Sequence, residues 1–304
     1  MGREPDAARP GDVAGLVADV AGMRAGLDRV GYLADEGLAT ALFCAVRLPQ
    51  ALLLEGEPGV GKTESAKALS EVLDTPLIRL QCYEGIDVSD ALYEWDYPRQ
   101  LLAIRLAEAG GRDVDEDDLF GRRYLVERPL LAAVTHPGPR PAVLLVDEID
   151  RADDEFEAFL FELLAEAAVT IPGVGTLRAE YPPVVVLTSN RTRDLHDALK
   201  RRCLYHWIDY PPLERVVAIV RRRVPEATGA LAEQAAGAVA RLRTLDLQKP
   251  PGVAEVIDWV AAARLLGLDE LDEGAIGSTL GSVLKYAEDL EVARRHGLAR
   301  VAGA

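Results

Sequence analysis

The apolar positions of the chain fall into two textures. Between residues 12 and 30, Val13, Leu16, Val17, Val20, Met23 and Leu27 recur at three- and four-residue spacing, the mark of a helix with one buried face. A second helix is predicted over 37–47, stopping before Pro49. At Ala51 the texture changes. Ala51-Leu52-Leu53-Leu54 is a short unbroken apolar run followed at once by glycines, which suits a strand buried on both faces of a parallel sheet. The same run returns at 77–80, 143–146 and 184–187, and more weakly at 204–208. Helical patterns lie between these runs; in 153–168, Phe156, Phe159, Leu160, Leu163 and Leu164 share one face. Alternating strand and helix predicts an α/β fold, a parallel five-stranded sheet flanked by helices. Past Pro211-Pro212 no buried strand is expected. Helical segments at 213–224, 230–245, 253–266 and 279–296 predict an all-helical second domain. The expected organisation is a flexible tail over 1–11, an α/β domain over 12–211 and a helical domain over 212–304.

Composition narrows the function classes. In 304 residues, 34 Lys and Arg stand against 50 Asp and Glu, a net charge of −16. Binding to a phosphate backbone leans on basic patches, so this balance argues against nucleic acid as the main partner. Three cysteines, Cys44, Cys82 and Cys203, are odd in number and widely spaced, which favours a reducing compartment over a disulfide framework. No apolar run approaches the roughly 20 residues that span a bilayer, and residues 1–12 lack the apolar segment of a secretory signal. A cytoplasmic protein without membrane insertion is expected. The acidic stretch 112–118 reads as a solvated loop.

Two motifs carry chemistry. Residues 56–63, GEPGVGKT, fit G-x-x-x-x-G-K-[ST] without a mismatch. A loop that wraps phosphate oxygens must bring backbone N–H groups close, so glycines replace side chains, and the next helix points its N-terminus at the phosphates. The nucleotide contacts are expected from Gly56, Pro58, Gly59, Val60, Gly61, Lys62, Thr63 and Glu64. Lys62 supplies a mobile charge for the β- and γ-phosphates, and the Thr63 hydroxyl is placed to ligate Mg2+. The second motif is Val143-Leu144-Leu145-Val146-Asp147-Glu148, two carboxylates emerging at the C-terminal end of a buried strand, where open α/β sheets bind ligands. Asp147 is expected to hold Mg2+, directly or through water, and Glu148 to polarise the attacking water. An acid pair there favours hydrolysis over transfer to an acceptor hydroxyl. ATP is favoured over GTP because Asn190-Arg191-Thr192-Arg193-Asp194 lacks the lysine of a guanine-reading N-K-x-D.

With these motifs in place the chain resembles the AAA+ ATPases, and within them the MoxR type. The resemblance rests on GEPGVGKT, on LLVDEID, on VTIPGVG before a strand and on VVVLTSN. The runs 92–102 and 249–259 look like the CoxD-like branch. It covers about residues 15–300 and implies a AAA+ P-loop domain followed by a helical lid, with ATP and Mg2+ bound between subunits of a ring of hexameric type. It further implies a von Willebrand factor A type partner and a metalloenzyme client. Asn190 matches the sensor-1 position, where an amide orients the attacking water. Arg202 in Lys200-Arg201-Arg202-Cys203 matches the arginine finger that reaches a neighbouring subunit's nucleotide, with Arg201 as the alternative. At the sensor-2 position the chain departs from the pattern: Ala254 stands there, with Lys249 and Arg264 as possible substitutes. The resemblance also implies a helix-2 insertion at about 82–101 and a pre-sensor hairpin at about 169–183.

Further constellations have competing readings. Tyr93, Trp95 and Tyr97 form either a partner-contacting surface on the insertion or local packing. Cys203-x-x-His206 with nearby His196 is too incomplete for a zinc site. The alternative functions are a nucleic-acid motor or clamp-loader-like ATPase, which shares the core but lacks a basic domain here, and a small-molecule P-loop kinase, which the acid pair and the helical domain fit poorly.

Overall fold

The computed structural model describes residue 15, residues 17–111 and residues 119–303. The expected tail over 1–11 and the acidic stretch 112–118 lie outside these residues. In chain order the strands are β1 (Ala51–Gly56), β2 (Leu77–Gln81), β3 (Tyr93–Trp95), β4 (Leu125–Glu127), β5 (Val143–Asp147), β6 (Ala168–Ile171), β7 (Gly175–Arg178), β8 (Val184–Ser189) and β9 (Cys203–Ile208).

Five of them build one parallel sheet in the order β2-β5-β8-β1-β9. The central strands β5, β8 and β1 are buried along their whole length. That is why they read in the sequence as unbroken apolar runs rather than as alternating ones. Register aligns Leu52 with Val186 and Leu145 with Val186, and on the outer side Arg79 with Leu145 and Gln81 with Asp147. Each fully buried Leu or Val here contributes on the order of 1.5–3 kcal/mol. The edge strand β2 is covered only in part, so it tolerates Arg79 and Gln81.

Helices flank the sheet. Asp35 starts Glu36–Arg47 by accepting the Leu38 N–H at 2.7 Å, and Asp153 starts Asp154–Glu166 by accepting that of Phe156. The continuous helix expected over 12–30 is interrupted. Residues 17–19 are not helical, and Asp19 caps a new helix, Val20–Arg29, through the Gly22 N–H.

By its internal contacts the chain divides into two compact units. One is built on Ala34–Glu55 and Thr63–Trp207, with the segment ending at Val30. The other takes Gly31–Leu33, Gly56–Lys62 and Ile208–Ala304. The second unit is helical, with Leu213–Arg223, Gly229–Leu242 and Val253–Leu265 around the fully buried Trp259. The Trp259 indole N–H donates to Thr279 Oγ1 at 2.7 Å. The single helix expected over 279–296 is instead two pieces. Glu273–Thr279 runs into a 3-10 turn, Leu280–Ser282, and a new helix spans Ala287–His296. The break lets the buried Asp289 accept the Gln248 and Lys249 N–H groups at 2.8 and 3.2 Å.

Candidate nucleotide site

The phosphate loop belongs to the helical unit. It begins at Gly56, where a Cβ would lie 2.5 Å from the Ile208 carbonyl oxygen, so no side chain fits. Gly59 and Gly61 have φ of +79° and +98°, which turn the chain into a concave backbone cradle suited to anions. Lys62 is buried, and its ammonium donates to the Gly56 and Glu57 carbonyls, both at 2.8 Å. Three contacts brace the loop. The Tyr32 hydroxyl donates to the Gly61 carbonyl at 3.3 Å. The Val253 N–H donates to the Gly59 carbonyl at 3.1 Å. Arg243, 4.0 Å from the Tyr210 ring centre, donates to the Pro251 carbonyl and pairs with Glu57. Gly252 is pressed against the loop so closely that a Cβ there would stand 2.8 Å from the Pro58 carbonyl oxygen. Burial pushes the Tyr210 phenol up to about 12, so it stays neutral beside Arg243.

The acidic pair lies in the α/β unit at the end of β5. Asp147 is buried and is the hub of a hydrogen-bond network. Thr63, the residue after Lys62, donates its hydroxyl to Asp147 Oδ1 at 3.0 Å and lies 3.2 Å from Oδ2. Thr188 on β8 donates to Oδ1 at 2.5 Å, and itself accepts the Glu148 N–H at 2.9 Å. Arg79 on β2 donates from Nε and Nη2 to Oδ2 at 3.1 and 2.6 Å. A hydroxyl and a carboxylate converging within 3.0 Å offer the hard oxygen ligands that Mg2+ takes, so the donor set fits that ion. Glu148 has a left-handed backbone, φ 56° and ψ 50°, at the turn that leaves the strand. Its carboxylate is partly open to solvent and lies 3.5 Å from Arg151.

Asn190 sits just beyond the end of β8. Its N–H donates to Asp150 Oδ2 at 3.2 Å, and Thr192 binds the same oxygen through its N–H and hydroxyl at 2.8 and 2.7 Å. Asp150, three residues past Asp147, thus ties the turn carrying Asn190 to the turn carrying Glu148. Cys82 lies beside this group; burial, then the charge of Asp147, pushes its thiol up to about 12, which rules it out as a nucleophile near neutral pH.

The expected arginines lie apart from this cluster. Arg201 and Arg202 are both exposed in the turn that precedes β9. That strand is three places from β5 in the sheet, and in a parallel sheet its N-terminal end is opposite the end that carries Asp147. Neither arginine therefore converges on Asp147 within its own chain. Ala254 is exposed on the first turn of Val253–Leu265, Lys249 is exposed, and Arg264 is paired with Asp269. Arg243, in the same unit, pairs with Glu57 of the loop.

Within the segment 82–101, where an insertion is expected, β3 pairs antiparallel with β4 some 30 residues on. Its aromatics divide. Trp95 meets Tyr93 and Phe120 edge-on at 5.8 and 5.3 Å, packed on the core, whereas Tyr97 is 62% exposed. A hairpin, β6 with β7, precedes β8. Cys203 and His206 point to opposite faces of β9, as residues three apart on a strand must. Burial holds the Cys203 thiol protonated, up to about 12.

Residues 51–203, half of the chain, match the AAA domain (dynein-related subfamily). The chain belongs to the AAA family. The matched AAA segment runs from β1 to the first residue of β9 and so contains the phosphate loop, Asp147, Glu148 and Asn190. AAA domains are ATPases. Among similar proteins, the ATP-dependent zinc metalloprotease FtsH 1 of Sorangium cellulosum is 27% identical over 241 residues, 77% of this chain and 35% of that protein. An uncharacterised protein of Staphylococcus aureus is 27% identical over 178 residues, 57% of this chain and 59% of that one. The chain thus spans about a third to three fifths of the length of these relatives. Among solved structures, the Thermotoga maritima RuvB Holliday junction branch migration motor aligns with a TM-score of 0.44 at 18% identity, over 84% of this chain and 68% of that one. A mutant of the same RuvB aligns with a TM-score of 0.47 at 16% identity, over 93% and 75%.

Three residues of these hydrogen-bond networks were not apparent from sequence. Thr188 carried a trace, as a hydroxyl at a strand end beside Asn190. Arg79 was the only charge in an apolar strand run, and Arg243 had no local signal at all.

Proposed function

We propose that this protein is a ring-forming AAA+ ATPase of the MoxR kind, cytoplasmic, which spends ATP hydrolysis on remodelling a protein partner. The observation that carries the hydrolytic part is the convergence of Thr63 on Asp147 within 3.0 Å, with the partly open Glu148 next in the chain. ATP brings the cleavable γ-phosphoryl group and Mg2+ the charge that steadies it. The loop N–H groups and Lys62 hold the phosphates, Thr63 and Asp147 hold the metal, and Glu148 takes a proton from water. Asn190, fixed through Asp150, orients that water. Arg202, exposed and distant from Asp147, serves a neighbouring subunit's nucleotide, with Arg201 as the alternative. Support for the MoxR kind comes from the runs 92–102 and 249–259, together with the hairpin β6–β7 before β8. On this reading the protein forms a hexameric ring and acts with a von Willebrand factor A type protein on a metalloenzyme under maturation.

The net charge of −16 favours a protein client over nucleic acid. The test is capture by tagged Glu148→Gln protein in the presence of ATP or ADP. A von Willebrand factor A type protein and a metalloenzyme retained with ATP and released with ADP are expected. Retention of nucleic acid alone would favour the motor reading and overturn the client.

A further inference from the structure

We propose that Arg79 competes with the divalent cation for Asp147 and so sets the metal concentration at which the site is loaded. The inference rests on the reading of Thr63 and Asp147 as metal ligands. It starts from the acceptor capacity of one buried carboxylate. Asp147 Oδ1 takes the hydroxyls of Thr188 and Thr63, and Oδ2 takes Nε and Nη2 of Arg79. Two carboxylate oxygens offer about four lone-pair positions, and these donors fill them. A cation that coordinates Asp147 must therefore displace a donor.

The three donors are not equally replaceable. Thr63 is itself expected on the metal. Thr188 also accepts the Glu148 N–H, so its bond sets the turn that presents the acid pair. Arg79 alone carries a positive charge, which a dication at the same oxygen opposes. It is also free to leave: its side chain is 48% exposed on the edge strand, and Nη2 already has a second acceptor in Gln81 Oε1. The register explains the reach. Arg79 lies opposite Leu145, on the same sheet face as Asp147 two residues further on, a diagonal that a long side chain spans.

Arg79 is a positioning residue in this account: it acts through Asp147. The experiment is titration of Mn2+ into the full chain saturated with ADP, followed by electron paramagnetic resonance, with ADP affinity in EDTA measured alongside. Arg79→Gln, which keeps a donor but removes the charge, is expected to bind Mn2+ about tenfold more tightly than wild type. Arg79→Lys, which keeps the charge but loses the two-pronged contact, is expected between the two. Unchanged or weakened Mn2+ binding in Arg79→Gln, with ADP affinity intact, would overturn the proposal and leave Arg79 as a structural brace. If wild type and variant alike fail to bind ADP, the phosphate-loop reading itself falls, and the inference with it.

Discussion

Glu148→Gln is expected to bind ATP as tightly as wild type and to hydrolyse it on the order of 10²-fold more slowly, the usual loss for a general base. The substitution keeps size and hydrogen bonding but removes the group that accepts a proton. It also leaves the scaffold untouched. The Glu148 bond to the Thr188 hydroxyl is donated by the backbone N–H, and among the described residues the side chain makes only a loose 3.5 Å pair with Arg151. Binding rests on other residues, so affinity and turnover separate. Phosphate release under saturating ATP, set beside equilibrium binding of a fluorescent ATP analogue, reads both. Unchanged turnover would remove Glu148 from its role.

Lys62→Ala acts one step earlier and is expected to abolish nucleotide binding, at least 10²-fold in affinity, since a charge-assisted phosphate contact is lost in a partly dry loop. Lys62 is 7% exposed, and its ammonium is held by the Gly56 and Glu57 carbonyls. The substitution leaves those carbonyls without their donor as well as removing the charge. A thermal melt distinguishes loss of the site from loss of the fold. A melt near that of wild type with binding gone is expected. Retained affinity in a direct binding assay would refute the assignment of the loop.

How much of this was legible in the chain depends on what each feature needs. The strands β1, β5 and β8 were legible because burial on both faces leaves an unbroken apolar run. The phosphate loop was legible because its function restricts backbone conformation, and only glycine meets the positive φ at positions 59 and 61 cheaply. Contacts made by register were not legible. Arg79 and Asp147 are 68 residues apart and meet only because β2 pairs with β5; Arg243 and Glu57 are 186 apart. The short pairing of β3 with β4 was hidden for the same reason, and with it the packing of the half-buried Trp95 against the core. Helix ends fared worst where a buried polar group rules the geometry. The break before Ala287–His296 follows Asp289 and its backbone partners, a demand that apolar periodicity does not record.

The central claim is that this chain hydrolyses ATP through Lys62, Thr63, Asp147 and Glu148. The most direct measurement is multiple-turnover release of inorganic phosphate by the purified chain from ATP with Mg2+, with and without small-molecule acceptors. The account predicts phosphate released from ATP over many turnovers, dependent on the divalent cation and independent of any acceptor. No release at any concentration of chain, or γ-phosphate appearing on an acceptor instead of in solution, would contradict it.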